Sequence, residues 1–122
     1  MAAVSIAFEA PDNYRGFVPS KNRPIDLVHL ARQTSGSKDL ELEVLHMFAK
    51  QARACMTEMA AGERDMIRQT AHKLKGAALA VGAFTVSEAA ERVENQTDEA
   101  GSIAKLGQAV LEAENFILKL SR

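Results

Sequence analysis

The sequence has no tryptophan, one cysteine and one tyrosine, and its three prolines all lie within the first 24 residues. A single cysteine cannot form an internal disulfide, so packing must hold the fold together. No apolar run approaches the roughly 20 residues that cross a bilayer. The N-terminus also lacks the basic region of a secretory signal. We therefore expect a cytoplasmic protein with no membrane partner.

Net charge is also almost absent, because 15 basic residues face 16 acidic ones. No overall field would recruit nucleic acid or an anionic membrane, so nucleic-acid binding is not expected. What the chain does have is 47% hydrophobic residues within 122 positions, rich in alanine, leucine, glutamate and lysine. This composition favours a single all-α domain with one modest core.

Beyond residue 24, apolar residues recur at helical spacing between turn-forming residues. The pattern predicts five helices, with expected bounds near 26–34, 37–61, 63–82, 84–96 and 103–120. Asp26 and Ser37 are the expected N-caps of the first two. Each longer helix carries one narrow apolar stripe, which predicts an up-down antiparallel four-helix bundle with the short first helix covering one end. The predicted domains are an irregular arm over residues 1–24 and the bundle over residues 25–122.

Core predictions concern the second helix and the residues near it. Its stripe is expected to hold Leu40, Val44, Phe48, Ala52, Cys55 and Met59. Cys55 is interpreted as a small core residue, because no basic or metal-binding pattern surrounds it. Met56, Met59 and Met66 are interpreted as core-filling methionines.

The segment "AHKLKG", residues 71–76, places a histidine beside a buried stripe. At about 100° per residue, His72 falls next to the stripe and is expected to be at least partly exposed. Lys75 lies about 60° from it around the helix axis, and Gly76 about 40° away on the other side. A glycine inside a helix costs about 1 kcal/mol relative to alanine, but it leaves open space beside the ring.

Arg68 and Leu79 extend the same face of the third helix by one and two turns. They add basic and apolar surface around the ring of His72. We expect this face to dock another protein.

Several reactions are open to an exposed imidazole on a helix. General acid–base catalysis usually needs a pocket, and a metal site needs more ligands than His29 and His46 on other helices supply. Nucleophilic attack needs only a bare ring nitrogen, an acceptor on the other nitrogen and nearby positive charge, which Lys75 provides. Glu94 is the candidate acceptor, because it follows the next turn by about as many residues as His72 precedes it. A solvated surface carboxylate is the alternative interpretation of Glu94.

The segment "TAHKLKGAALAVGA", residues 70–83, resembles the signature of histidine-containing phosphotransfer (HPt) domains of two-component phosphorelays. The resemblance covers about residues 24–120, including "PIDLVHLARQTSGSKDLELEVLHMF" at the start and "ERVE" at residues 91–94. Two departures are Glu63, where an aspartate cap is common in the family, and the arm over residues 1–24.

The resemblance implies that His72 takes a phosphoryl group from a receiver-domain aspartate and returns it to another. It also implies that Lys75 steadies the phosphoryl group, that Gly76 keeps access open and that Glu94 bonds the imidazole. The implied protein is a phosphocarrier without its own ATP-binding kinase domain. It needs no cofactor or metal of its own, and the Mg²⁺ of the transfer belongs to the receiver.

The expected partners are receiver (response-regulator) domains, with a hybrid sensor kinase as a further candidate, and the expected state is a monomer. Two alternatives stay open at this point. One is a noncatalytic helical interaction module, and the other is a phosphoacceptor domain cut from a larger chemotaxis-type kinase.

Overall fold

The computed structural model describes residues 23–97 and 100–122. Most of the predicted arm, residues 1–22, therefore lies outside the described residues, and the division of the chain at residue 24 stays a prediction. Five α-helices are present: α1 (Leu27–Gln33), α2 (Lys38–Ala61), α3 (Arg64–Val81), α4 (Phe84–Asn95) and α5 (Ala100–Leu120). The described ranges contain no strand, so the all-α class and the five predicted helices are confirmed.

Both predicted N-caps are confirmed. One carboxylate oxygen of Asp26 accepts hydrogen bonds from the backbone N–H groups of Val28 at 3.0 Å and His29 at 3.2 Å. Ser37 Oγ accepts the N–H of Leu40 at 3.2 Å. These acceptors satisfy donors that the first turn of a helix leaves unpaired. Glu63 occupies the cap position of α3 but makes no side-chain cap bond.

One core joins the four long helices. α2 packs against α3 and α5, α4 packs against the same two helices, and α1 lies against α3. Leu30, Leu74 and Leu106 are completely buried within this core. None of the helices that the structure describes is long and apolar enough to span a bilayer.

The predicted stripe of α2 is right in its C-terminal part and wrong in its first two turns. Leu40 is 42% exposed, and Val44 is only partly buried. Glu41 and Leu45 are buried in their place. The reason is geometric: each step of four residues turns the stripe by about 40°, so repeated steps of four drift off the core. The buried positions instead alternate steps of four and three: Glu41, Leu45, Phe48, Ala52, Cys55 and Met59.

The sulfur-containing residues divide between core and surface. Cys55 is buried as predicted, and its desolvation raises the pKa of the thiol, outweighing the opposing charge of Lys73. Met59 is buried and Met56 is partly buried. Met66 is 51% exposed, so its prediction as a core residue is wrong. It precedes Ile67 of the α3 stripe by one residue and is rotated about 100° away from the core.

Gly82 links the α3–α4 turn to α1. Its φ of 83° lies in the left-handed region, and its N–H bonds to the carbonyls of Ala78 and Leu79 at the end of α3. Its own carbonyl accepts the N–H of Asp26 at 2.9 Å. A Cβ at Gly82 would lie 2.9 Å from the backbone oxygen of Asp26, closer than packing allows. Only glycine therefore fits this position without a shift of the backbone.

Replacing Gly82 with alanine should lower the free energy of unfolding by well over the roughly 1–2 kcal/mol that left-handed strain alone costs. Gly36→Ala is the matched control: φ at Gly36 is 79°, but among the described residues nothing lies within 4 Å of an added Cβ. The control should show the strain alone. Urea unfolding followed by circular dichroism would measure both, and equal losses would contradict the close approach of α1 to Gly82.

Candidate functional site

His72 lies in the middle of α3 beside its buried face. Ala71 and Leu74 are both completely buried, which fixes the rotation of the helix. The His72 side chain is 68% exposed. The predicted exposure of the imidazole is therefore confirmed, and its cause is the helical period: the ring sits about 100° from one buried neighbour.

Glu94 brings a carboxylate from α4 to the imidazole. Its Oε2 lies 2.8 Å from His72 Nδ1, and Val93, the residue before it, is completely buried and anchors α4. An ionised carboxylate can only accept here, so Nδ1 carries the proton, and in a neutral ring Nε2 then keeps a free electron pair. Because the Glu94 side chain is only 20% exposed, it is not an ordinary solvated carboxylate.

Lys75 meets the same carboxylate from the next turn of α3. Its Nζ lies 3.0 Å from Glu94 Oε1, and its side chain is 25% exposed. That oxygen is buried, and no donor in the described part of the chain makes an aligned hydrogen bond to it. The ammonium group therefore satisfies Oε1 as an ion pair. From the sequence, Lys75 was expected to reach a group attached to the imidazole of His72. In the structure its ammonium group instead contacts the Glu94 carboxylate.

The electrostatics of the site favour an ionised Glu94. Desolvation raises the pKa of the Glu94 carboxyl, but the close ammonium group of Lys75 and the hydrogen bond and charge of His72 together outweigh it, so the pKa is lowered from its ordinary value. The carboxylate therefore stays charged throughout the neutral range. A permanent negative charge therefore lies 2.8 Å from Nδ1 of His72.

The open surface beside the ring comes from Gly76. Among the described residues, nothing lies within 4 Å of the Cβ that a side chain would add there. Leu79 is 46% exposed on the same face. The Arg68 side chain is 51% exposed, and its Nη1 lies 3.8 Å from Asp65 Oδ1 within the same helix. The structure thus places basic and apolar groups around an accessible imidazole.

A second contact holds α3 against α2 behind the site. Lys73 Nζ lies 3.7 Å from Glu58 Oε1, and Thr70 Oγ1 donates to the same oxygen at 3.3 Å. Lys73 points away from His72, as its phase on the helix predicts. The contacts of Glu58 were not predicted from the sequence, because no local pattern links this residue to α3.

The other two histidines have different partners. His29 Nε2 lies 3.3 Å from the carbonyl of Ala80, and its ring meets Phe84 edge-on at 5.3 Å between centroids. His46 Nε2 lies 3.0 Å from Ser121 Oγ. Within the described residues, no group of three histidine, cysteine, aspartate or glutamate side chains could hold a metal ion.

Comparison with known families extends this description. A family model described as "Hpt domain" matches residues 43–121, well over half of the chain and a range that includes His72, Lys75 and Glu94. The chain belongs to the Hpt domain family. The resemblance noted in the sequence is therefore confirmed over residues 43–121, and its extension over residues 24–42 stays a prediction. Hpt domains act in histidine phosphotransfer within phosphorelays, as phosphocarriers rather than catalytic domains, and they interact with receiver domains.

No curated protein matches this Hpt chain, and no solved structure matches it. The roles of individual residues in this Hpt domain therefore have to be argued from its own geometry.

The lowered pKa of Glu94 predicts how stability depends on pH. The folded state holds the ionised carboxyl more tightly than the unfolded chain does. Its contribution is therefore fully present above about pH 4.5 and is lost as pH falls through the lower folded value. Glu94→Gln should lower the free energy of unfolding by about 1 kcal/mol near pH 7. This deficit should shrink as pH falls below the ordinary glutamate value.

Urea titrations of both proteins from pH 3 to pH 8 would measure this difference. Glu91→Gln, which removes an exposed charge from the same helix, is the matched control. A deficit for Glu94→Gln that grows on acidification would contradict a lowered pKa.

Proposed function

We propose that this Hpt protein carries a phosphoryl group on Nε2 of His72, taking it from an aspartyl phosphate in one receiver domain and passing it to another. The observation that carries this proposal is the 2.8 Å contact between His72 Nδ1 and Glu94 Oε2 on an imidazole that is 68% exposed. This contact keeps the proton on Nδ1 and leaves Nε2 free to attack, facing solvent where a partner can approach.

In the transfer, the electron pair of Nε2 forms a bond to phosphorus while the bond from phosphorus to the aspartate oxygen breaks. The electron pair of the broken bond leaves with the aspartate carboxylate. The Nδ1 proton stays in place, so the ring gains a positive charge beside Glu94. That preformed negative charge stabilises the product without any reorganisation of solvent. The return transfer runs through the same steps in reverse.

We assign Lys75 to the phosphoryl oxygens, because it is one turn from His72 and can offset their negative charge. Gly76 leaves the approach to Nε2 open, and Leu79 and Arg68 form docking surface on the same face. The Mg²⁺ of the reaction belongs to the receiver in this proposal, and the Hpt protein brings no nucleotide or metal of its own. We place the protein in the cytoplasm as a monomer, with receiver domains, including that of a hybrid sensor kinase, as partners.

We further propose that α2 to α5 form an up-down antiparallel bundle. Two contacts between α2 and the end of α5 support opposite directions for these helices. His46 meets Ser121, and seven residues later Arg53 bonds Glu114 through two nitrogens at 2.7 and 2.9 Å. Seven residues forward along α2 thus correspond to seven residues backward toward the start of α5, which is the register of two antiparallel helices.

Substituting His72 with Gln should abolish the label that the protein takes from phosphorylated receivers, because glutamine has no nucleophilic nitrogen. A panel of ³²P-phosphorylated receiver domains from the same organism would be incubated with each variant. The control variants His29→Gln and His46→Gln should keep labelling, and circular dichroism should show unchanged helix content. Undiminished labelling of the His72 variant would rule out the proposal.

Substitutions at Gly76 should affect folding stability and phosphotransfer differently. Gly76→Ala should raise the free energy of unfolding by up to about 1 kcal/mol, because alanine favours a helix and its Cβ meets no neighbour among the residues that the structure describes. Gly76→Leu should keep the fold but slow phosphotransfer by about tenfold or more, since about 1.4 kcal/mol of lost docking suffices. Unfolding curves and initial transfer rates would measure the two effects, and a leucine variant with the native transfer rate would refute the access role.

A further inference from the structure

Lys75 is engaged before any phosphoryl group arrives. Its Nζ lies 3.0 Å from Glu94 Oε1, while His72 Nδ1 lies 2.8 Å from Oε2 of the same carboxylate. The carboxylate that holds the ammonium group is thus the one that contacts Nδ1, whereas Nε2 is the atom that would carry the phosphoryl group. In this arrangement the ammonium group is paired with Glu94 before any phosphoryl oxygen is present.

Glu94 Oε1 depends on this lysine. The oxygen is buried and receives no aligned hydrogen bond from the described residues, so the Lys75 ammonium is the charge that compensates it. A neutral imidazole contributes only a hydrogen bond to Oε2. A buried carboxylate oxygen without compensation is costly. While His72 is neutral, Lys75 is therefore best placed on Glu94.

Phosphorylation changes this balance of charge. Attack by Nε2 leaves the proton on Nδ1 and puts a positive charge on the ring, directly beside Glu94. The phosphoryl group simultaneously brings negative charge to the far side of the ring. The carboxylate then has a new cationic partner, and the strongest uncompensated charge lies on the phosphoryl oxygens. A lysine three residues along a helix can reach either group.

We propose that Glu94 positions Lys75 as well as His72, holding its ammonium group while Nε2 is bare and releasing it to the phosphoryl oxygens once Nε2 is phosphorylated. This inference rests on the proposed function only in requiring a phosphoryl group on His72. It makes Glu94 the residue that exchanges one cation, Lys75, for another, the phosphorylated ring. It also explains a carboxylate at this position, since a neutral amide could orient the imidazole but could not hold the lysine.

The ¹⁵Nζ signal of Lys75 tests the exchange, in protein labelled with ¹⁵N-lysine. Wild type and Glu94→Gln would be compared before and after phosphorylation with phosphoramidate, a small donor that needs no receiver. The free proteins should differ, because only the wild type holds Lys75 on a carboxylate. After phosphorylation the two signals should converge, because Lys75 then contacts the phosphoryl oxygens in both proteins.

Three controls make the result specific. Lys75→Met identifies the signal by its loss, and His72→Gln should show no change on treatment with phosphoramidate. Lys73 is the matched internal control, because it is paired with Glu58 on α2 and its signal should not move. A Lys75 signal that stays unchanged in the phosphorylated wild type, or a difference between the two proteins that persists, would overturn the exchange.

The same samples separate this inference from the proposed function. Convergence of the Lys75 signals together with no transfer to or from any receiver would support the exchange and overturn the receiver-to-receiver function. Transfer between receivers without convergence would support that function and overturn the exchange. A His72 that takes no phosphoryl group from phosphoramidate would overturn both, because each requires a nucleophilic Nε2.

Discussion

The site depends on one carboxylate that joins two helices. Glu94 extends from α4 and contacts both His72 and Lys75 of α3, and its ionisation is favoured by these partners despite partial burial. Without it, the imidazole would have no fixed proton and the lysine no fixed position. The packing of α3 against α4 places this carboxylate, and Gly76 leaves open space beside the ring.

The register between α3 and α4 places the Glu94 carboxylate beside His72 and Lys75. The two helices are joined by a turn in which Gly82 adopts a left-handed conformation and its carbonyl is bonded to the N–H of Asp26. Buried residues on the facing helices, Leu74 and Val93, then fix their rotation. The position of a charged side chain at the surface is therefore set by packing in the core and by one glycine in the turn.

The two faces of α3 have different roles: one packs in the core and the other is open to solvent. Its inner face is completely buried at Ala71 and Leu74, while its outer face presents His72 beside the open space at Gly76. The glycine lowers helix propensity at a point where the core does not need it. Such a loss of local stability next to an exposed imidazole is typical of a functional surface.

The helices, the caps at Asp26 and Ser37 and the exposure of His72 were predictable from the amino-acid sequence, because they follow from the helical period and from hydrogen bonds within a few residues. Counting residues on either side of the turn also identified Glu94 as a candidate partner. The burial of Glu41 where Leu40 was expected also follows from spacing within one helix, the alternation of four and three residues along α2. The pairing of Lys75 with Glu94 became visible only once the helices were packed together, because it depends on distances and rotations between α3 and α4, which the pattern within one helix does not contain.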